Sequence, residues 1–229
     1  MKKNNITDIY FDLDHTLWDF EKNSALAFET ILKKHKIEVD IAAFVAHYVP
    51  VNAQYWELYR YDKITQYELR IGRLRDTFAL VNYETNDETI LLIADEYVHY
   101  LPAFNHLFEG AIEILDYLKP KYRLHIITNG FKEIQEGKMK NAKLDVYFDT
   151  VTNSEMVGVK KPNPKIYQYA LSRCAVKKEN AIMIGDCIDA DVNGALNFGI
   201  EAIWFNEHAK PIPEGIESIR KLLDLKAFF

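Results

Sequence analysis

Two carboxylates two residues apart, in Asp12-Leu13-Asp14-His15-Thr16, close an apolar run that begins at Ile6. Ile6 to Leu13, β-branched and aromatic, reads as a short strand, in which side chains two residues apart share a face. Like charges held that close repel unless a cation or a proton lies between them. Hard divalent cations such as Mg²⁺ bind oxygen, commonly one or two carboxylates together with a substrate phosphate. One carboxylate could then attack phosphorus and form an aspartyl-phosphate. Its neighbour could protonate the leaving oxygen and later deprotonate the water that resolves the intermediate. A solvated acidic turn is the other reading of the same five residues.

Three further segments carry chemistry-bearing types at places where an apolar run ends. Gly185-Asp186-Cys187-Ile188-Asp189-Ala190-Asp191 follows Ala181–Gly185, where Gly185 permits a tight turn, Asp186 could bind metal and Asp191 could support a metal-bound water. The alternative is a helix start enriched in acids to complement the helix dipole. Thr128-Asn129-Gly130 offers a hydroxyl, an amide and helix N–H groups to a phosphate, or is an ordinary N-cap. Lys160-Lys161-Pro162-Asn163-Pro164 is a compact basic spot. A lysine before a proline sits in extended chain and could serve as a fixed positive charge; two lysines in a solvated loop are the plain alternative.

The elements that must position these residues can be read from periodicity. Strands are expected at Arg123–Thr128, Phe148–Thr152, Ala181–Gly185 and Glu201–Phe205. Helices are expected at Gly110–Leu118, after Asn129-Gly130, at Pro164–Cys174, near 189–198, and as one terminal helix over about 215–226. Strands alternating with helices imply right-handed crossovers and an α/β, doubly wound parallel sheet. Such sheets place their sites at the carboxyl ends of the strands, beside the switch in strand order. Between the first strand and the rest, segments near 21–36, 40–61, 63–81 and 87–100 show helical spacing, with Pro50 their one proline. They predict a small helical bundle inserted into the sheet domain.

With 229 residues, 48% of them hydrophobic, the chain can build a sizeable core. A formal charge of −6 with interspersed signs argues against a nucleic-acid polymer or an anionic membrane as main partner. Cys174 and Cys187 make no metal-binding or disulfide framework. The basic start is broken at once by acids and no apolar run is long enough to span a bilayer, so a soluble cytoplasmic protein is expected. Dinucleotide, P-loop, zinc-protease and serine-hydrolase patterns are absent from the sequence.

Taken together and in this order, the four motifs resemble the haloacid dehalogenase (HAD) superfamily, over essentially the whole chain: FDLDHTLWDF, HIITNG, VGVKKPNPKIY and MIGDCIDADVNGALNFGI. The resemblance implies a HAD-like Rossmannoid core over 1–17 and 103–229 with a helical C1 cap over 18–102. It implies Asp12 as nucleophile and Asp14 as general acid and base, its main-chain carbonyl also binding Mg²⁺. It further implies Thr128 as a phosphate contact helped by donors from Asn129 and Gly130, and Lys161 as the site lysine, with Lys160 one register away. Asp186 is implied as a metal ligand and Asp191 as support for the metal's water shell. Asp189 receives no role, and His15, where many members carry a small or acidic residue, reads as a turn residue.

The substrate implied is a small phosphomonoester. The segments TLWDF and VGVKKPNPKIY and the cap length are similar to bacterial pyrimidine 5′-nucleotidases, so a nucleoside 5′-monophosphate is expected. A broad sugar-phosphate phosphatase or a phosphomutase would use the same pair of acids. A 2-haloacid dehalogenase would lack Asp14, and a phospho-acceptor signalling module would be about half this length and lack the insertion. In the expected cap, Tyr48, Tyr55, Trp56, Tyr59, Arg60, Tyr61 and Tyr67 could stack on a base but are expected mostly in the cap core. Arg70, Arg73 and Arg75 are expected to be solvated.

Overall fold

The computed structural model describes residues 3–229; the basic start at Met1 and Lys2 lies outside them. The chain divides into two compact units, one of Met1–Asp19 with His106–Phe229 and one of Phe20–Asn105.

The helical unit holds α1 (Phe20–Lys34), α2 (Ile41–Arg60), α3 (Gln66–Leu80) and α4 (Asp87–Tyr100). Its helix starts are written locally. Asp40 accepts from the Ala43 N–H at 2.9 Å, Thr65 and Glu68 form a reciprocal capping box, and Asn86 accepts from the Thr89 N–H at 2.8 Å. The core centres on Phe28, whose ring lies 5.1 Å from Phe44, 4.5 Å from Tyr48 and 4.4 Å from Tyr97. Of the aromatic residues expected in this core, only Tyr48 is fully buried; Tyr55, Trp56 and Tyr59 are half-buried, while Tyr61 and Tyr67 are exposed. The inward stripe of α2 runs through Phe44, Tyr48, Val51 and Asn52, and the Tyr55–Tyr61 stretch continues off that stripe. One of the three arginines also departs from expectation. Arg70 and Arg75 pair with Asp95 and Asp87, each at 2.7 Å, but Arg73 is buried.

The second unit is built on a six-stranded sheet, every neighbouring pair parallel. In chain order its elements are β1 (Asp8–Phe11), α5 (Ala111–Leu118), β2 (Arg123–Thr128), α6 (Lys132–Asn141), β3 (Thr150–Asn153), α7 (Ser154–Val157), α8 (Pro164–Cys174), β4 (Ala181–Gly185), α9 (Gly194–Phe198), β5 (Glu201–Phe205) and β6 (Ser218–Ile219). The strand order is β3-β2-β1-β4-β5-β6. Every residue of β1 and β4 is buried, as expected of central strands with both faces covered. The chain builds outward from β1 through β2 to β3, then returns to the other side of β1 to lay down β4. The reversal between β1 and β4 leaves a crevice at their carboxyl ends.

Three expectations are corrected. The first strand spans Asp8–Phe11, not Ile6 to Leu13. Beyond it the chain turns: Leu17 N–H and Trp18 N–H both donate to the Leu13 carbonyl, at 3.0 and 2.9 Å. Asp12 and Asp14 therefore do not lie on one strand face. The helix near 189–198 is a π-helical turn, Ile188–Asn193, followed by α9. The expected terminal helix is instead β6 and a 3₁₀ segment, Leu222–Ala227. The apolar spacing of this tail resembles a helix, but β5 would otherwise be an open sheet edge. Trp204 N–H donates to the Glu217 carbonyl and Asn206 N–H to the Ile219 carbonyl, both at 2.8 Å, which closes that edge.

Candidate active site

Because β1 pairs with both β2 and β4, the residues that end these three strands share one edge of the sheet. The Asp12 N–H extends the ladder by donating to the Ile184 carbonyl at 2.9 Å, which fixes the start of its side chain. Lys161 comes from the segment between α7 and α8 and precedes a cis peptide bond to Pro162. Its ammonium donates to Asp12 Oδ1 at 2.6 Å, to Asp191 Oδ1 at 2.6 Å and to the Ile127 carbonyl at 2.7 Å. An ammonium has three protons to donate, so this buried group is fully satisfied. Lys161, rather than Lys160, is thus the lysine at Asp12.

Asn129 holds that lysine in place. Its Oδ1 accepts from the Lys161 N–H at 2.7 Å, and its Nδ2 donates to the Lys161 carbonyl at 3.0 Å. The Asn129 side chain, expected among the phosphate donors, is therefore engaged elsewhere. Thr128 Oγ1 accepts from the Gly130 N–H at 3.1 Å and from Gln135 Nε2 at 2.7 Å. Its hydroxyl proton remains to be donated. Gly130 is confined by Gln135: an added Cβ would lie 2.2 Å from Gln135 Nε2. Helix α6 is capped at Phe131 without a side-chain bond, so Thr128-Asn129-Gly130 is not an N-cap.

Carboxylate oxygens of Asp12, Asp186 and Asp191 all come within 4.8 Å of one another. Burial pushes the Asp12 carboxyl well above the usual carboxylate range; Lys161 pulls it back, while Asp191 and Asp186 push it further up. Burial, and then Asp191, push the half-buried Asp186 to about 7. Burial works to lower the Lys161 ammonium, but Asp12 and Asp191 outweigh it and leave it raised. Three hard-oxygen donors this close and this poorly hydrated could hold a divalent metal ion, which would reverse the upward shifts of the acids. Asp191 Oδ1 already faces Lys161, and its Oδ2 accepts from the Cys187 N–H at 3.0 Å. Asp186 is left more open, with Thr16 Oγ1 at 3.4 Å from Oδ1. Asp189 is exposed, its Oδ1 facing Asn193 Nδ2 at 3.4 Å, and takes no part in the cluster.

Asp14 points elsewhere. Its Oδ1 accepts from Lys138 Nζ at 2.6 Å and its Oδ2 from Gln135 Nε2 at 2.8 Å. The Lys138 ammonium also lies 4.2 Å from the centre of the Trp18 ring. Gln135 and Lys138, a turn apart on the buried face of α6, were not singled out in the sequence. A lysine three residues after a glutamine on an inward helical face was the available signal. His15 sits in the left-handed region (φ 60°) within the turn that carries Asp14, as its reading as a turn residue requires.

The site can be set beside known proteins. A family model described as haloacid dehalogenase-like hydrolase matches residues 9–199. Pyrimidine 5′-nucleotidase PynA of Streptococcus pneumoniae is 34% identical, over 94% of this chain and 93% of its own. Pyrimidine 5′-nucleotidase YjjG of Escherichia coli is 30% identical, over 91% and 89%. A magnesium-bound crystal structure of the HAD-hydrolase YfnB of Bacillus subtilis superposes with a TM-score of 0.88 at 27% identity, over 97% and 98% of the two chains.

Proposed function

The chain belongs to the haloacid dehalogenase-like hydrolases, and we propose that it is a Mg²⁺-dependent phosphatase acting on pyrimidine nucleoside 5′-monophosphates. The observation that carries the chemistry is the buried contact of Lys161 with Asp12 and Asp191 beside Asp186. The two relatives named as pyrimidine nucleotidases, aligned over nine-tenths of the chain, support the substrate class.

In this mechanism an oxygen of Asp12 attacks phosphorus and the bond to the nucleoside 5′-oxygen breaks. Asp14 gives its proton to that oxygen as the nucleoside leaves. Asp14 then takes a proton from water, whose oxygen attacks the aspartyl-phosphate, releasing phosphate and restoring Asp12. Thr128 donates its hydroxyl proton to a phosphate oxygen, and Lys161 offsets the charge of Asp12 and the phosphate. Asp12, Asp186 and the main-chain carbonyl of Asp14 are the ligands we assign to Mg²⁺, with Asp191 supporting its water shell. The ion supplies further positive charge against the phosphate. The crystal structure of YfnB, which is bound to magnesium, supports this choice of ion. Asp14 accepts from Lys138 and Gln135. An ionised carboxylate has no proton to give, so to act as the acid it must first take up a proton and turn that oxygen to the leaving group.

The helical unit is assigned the part of a cap over 18–102 that selects the leaving group. Asp14 argues against a dehalogenase, which needs no leaving-group acid. A cytoplasmic location belongs to the same reading. Neither cysteine is in a disulfide, as a reducing compartment would leave them, and no helix of the described residues is long and apolar enough to cross a membrane.

The test is phosphate release, with and without Mg²⁺, from uridine and cytidine 5′-monophosphates, ribose 5-phosphate and p-nitrophenyl phosphate. Preference for ribose 5-phosphate over both nucleotides sinks the nucleotidase reading, and turnover that survives removal of divalent ions with EDTA sinks the metal. A second expectation concerns Gly185, where an added Cβ would lie 2.3 Å from Asp191 Cγ. Gly185→Ala must displace Asp191, and should raise the Mg²⁺ concentration for half-maximal rate by roughly 10- to 100-fold. An unchanged Mg²⁺ titration would show that Asp191 does not support the ion.

A further inference from the structure

At the end of the sheet away from Asp12 and Thr128, a group of side chains that phosphate transfer does not use meets beneath α8. Asp8 and Arg123 begin β1 and β2 and stand opposite each other; Tyr10 stands opposite His125, and His125 opposite Thr150. Side chains two residues apart on a strand share a face. That face packs through Tyr10 and Ile127 on Ile166, Tyr167, Ala170 and Leu171 of α8, the helix that Cys174 ends.

The buried His125 ring is fixed in place. It stacks on Tyr10 with centroids 4.7 Å apart, and its Nε2 lies 2.9 Å from Asp8 Oδ1. Asp8 otherwise meets donors: Arg123 Nε at 2.9 Å, Arg123 Nη2 at 3.0 Å and the Thr7 hydroxyl. The ring proton therefore sits on Nε2, which leaves Nδ1 as an acceptor. Nδ1 lies 3.0 Å from Thr150 Oγ1 and 3.6 Å from Cys174 Sγ, and Thr150 Oγ1 lies 3.7 Å from the same sulfur. Burial lowers His125 against the pull of Asp8, so the ring is neutral and can take a proton.

A nucleophile within reach of a base that a third group orients is the arrangement that activates a thiol. The S–H proton can pass to Nδ1 directly or through the Thr150 hydroxyl. A further donor waits for the thiolate. The Tyr10 hydroxyl is buried with no hydrogen-bond partner, and after burial it is negative charge at Cys174 that most raises it. Cys174 itself is half-buried rather than sealed. Its surroundings are positive: the exposed Arg123 donates from Nη1 to the Cys174 carbonyl at 3.3 Å, and the exposed Arg173 precedes it.

We propose that Cys174 is a nucleophilic thiol, with His125 as its base and Asp8 orienting that base, and that it forms a mixed disulfide with a low-molecular-weight disulfide bearing carboxylates. The Cys174 sulfur attacks one sulfur of that molecule, and the new S–S bond forms as the old one breaks. The departing thiolate takes the proton that His125 received.

The experiment exposes the whole chain to oxidised glutathione near pH 7 and follows the adduct on Cys174 by peptide mass mapping. The same chain unfolded in urea, where Cys174 is an ordinary exposed thiol, is the reference. Folded Cys174 should react about 10-fold faster than unfolded Cys174, because an ordinary thiol is only a few per cent thiolate at that pH. Part of the gain from full ionisation is offset by the weaker nucleophilicity of an acidified thiol. His125→Gln, whose amide can still donate to Asp8, should bring the folded rate to or below the unfolded one. A neutral disulfide, hydroxyethyl disulfide, should show a folded-to-unfolded ratio smaller by roughly threefold, since the arginines no longer attract it. Folded Cys174 reacting no faster than unfolded overturns the proposal and leaves Asp8, Arg123 and His125 as a buried network tying β1 to β2. An undiminished rate in His125→Gln overturns His125 as the base, and equal ratios for the two disulfides overturn the carboxylate preference. If His125→Gln does not fold, the folded-to-unfolded ratio of the wild-type chain decides.

Discussion

Asp12→Asn should abolish phosphate release, by at least about 10⁴-fold in kcat, since loss of a nucleophile removes the covalent route itself. The substitution isolates that role because little else changes. An asparagine oxygen can still accept from Lys161, which keeps its bonds to Asp191 and Ile127. One of three crowded carboxyls becomes neutral, and burial opposes the ionisation of Asp12, so the fold should lose little. Two measurements check this: initial rates on uridine 5′-monophosphate, and the melting temperature. A variant that folds as wild type and turns over near the normal rate would be incompatible with an aspartyl-phosphate at Asp12. Asp14→Asn should behave differently, losing roughly 10²–10⁴-fold on a nucleotide and much less on p-nitrophenyl phosphate, whose leaving group needs no proton.

Lys161→Met should damage both stability and chemistry. Removing the ammonium leaves Asp12 and Asp191 facing each other in a buried site, and breaking a buried ion pair from one side costs roughly 3–5 kcal/mol. In a chain of this size that is a fall of about 10 °C in melting temperature. The Ile127 carbonyl also loses its donor. Since the destabilisation comes from unbalanced negative charge, Mg²⁺ should recover more stability in this variant than in wild type. Turnover should remain at least ~10²-fold low even at saturating Mg²⁺, because the fixed charge beside the nucleophile is gone. Thermal melts with and without Mg²⁺, and rates on the same samples, test both parts. Wild-type stability without the ion would contradict the ion-pair account.

The sequence alone determined the doubly wound sheet, because β4 is an uninterrupted apolar run, β5 is one after its first residue, and α8 is bounded by proline and a change of periodicity. It also determined the four helices of the insertion, three of which, α2, α3 and α4, are capped by local side-chain bonds. The acids at the strand ends could be named for the same reason: strand end and residue type are local properties. Only tertiary structure decided what those residues face. Asp12 meets Lys161 across 149 positions, and Asp14 meets Gln135 and Lys138 across 121 and 124; no periodicity encodes such distances. The terminal segment became β6 because the open edge of β5 needed partners, a demand that its own apolar spacing could not reveal. Arg73 looked like one of three equivalent surface arginines, and the packing of α3 against α2 and α4 put it inside. The pair of acids that begins at Asp12 was legible from residue types and spacing. That its two members have separate neighbours, one held by Lys161 and the other by α6, depends on the turn after β1 that closes on the Leu13 carbonyl.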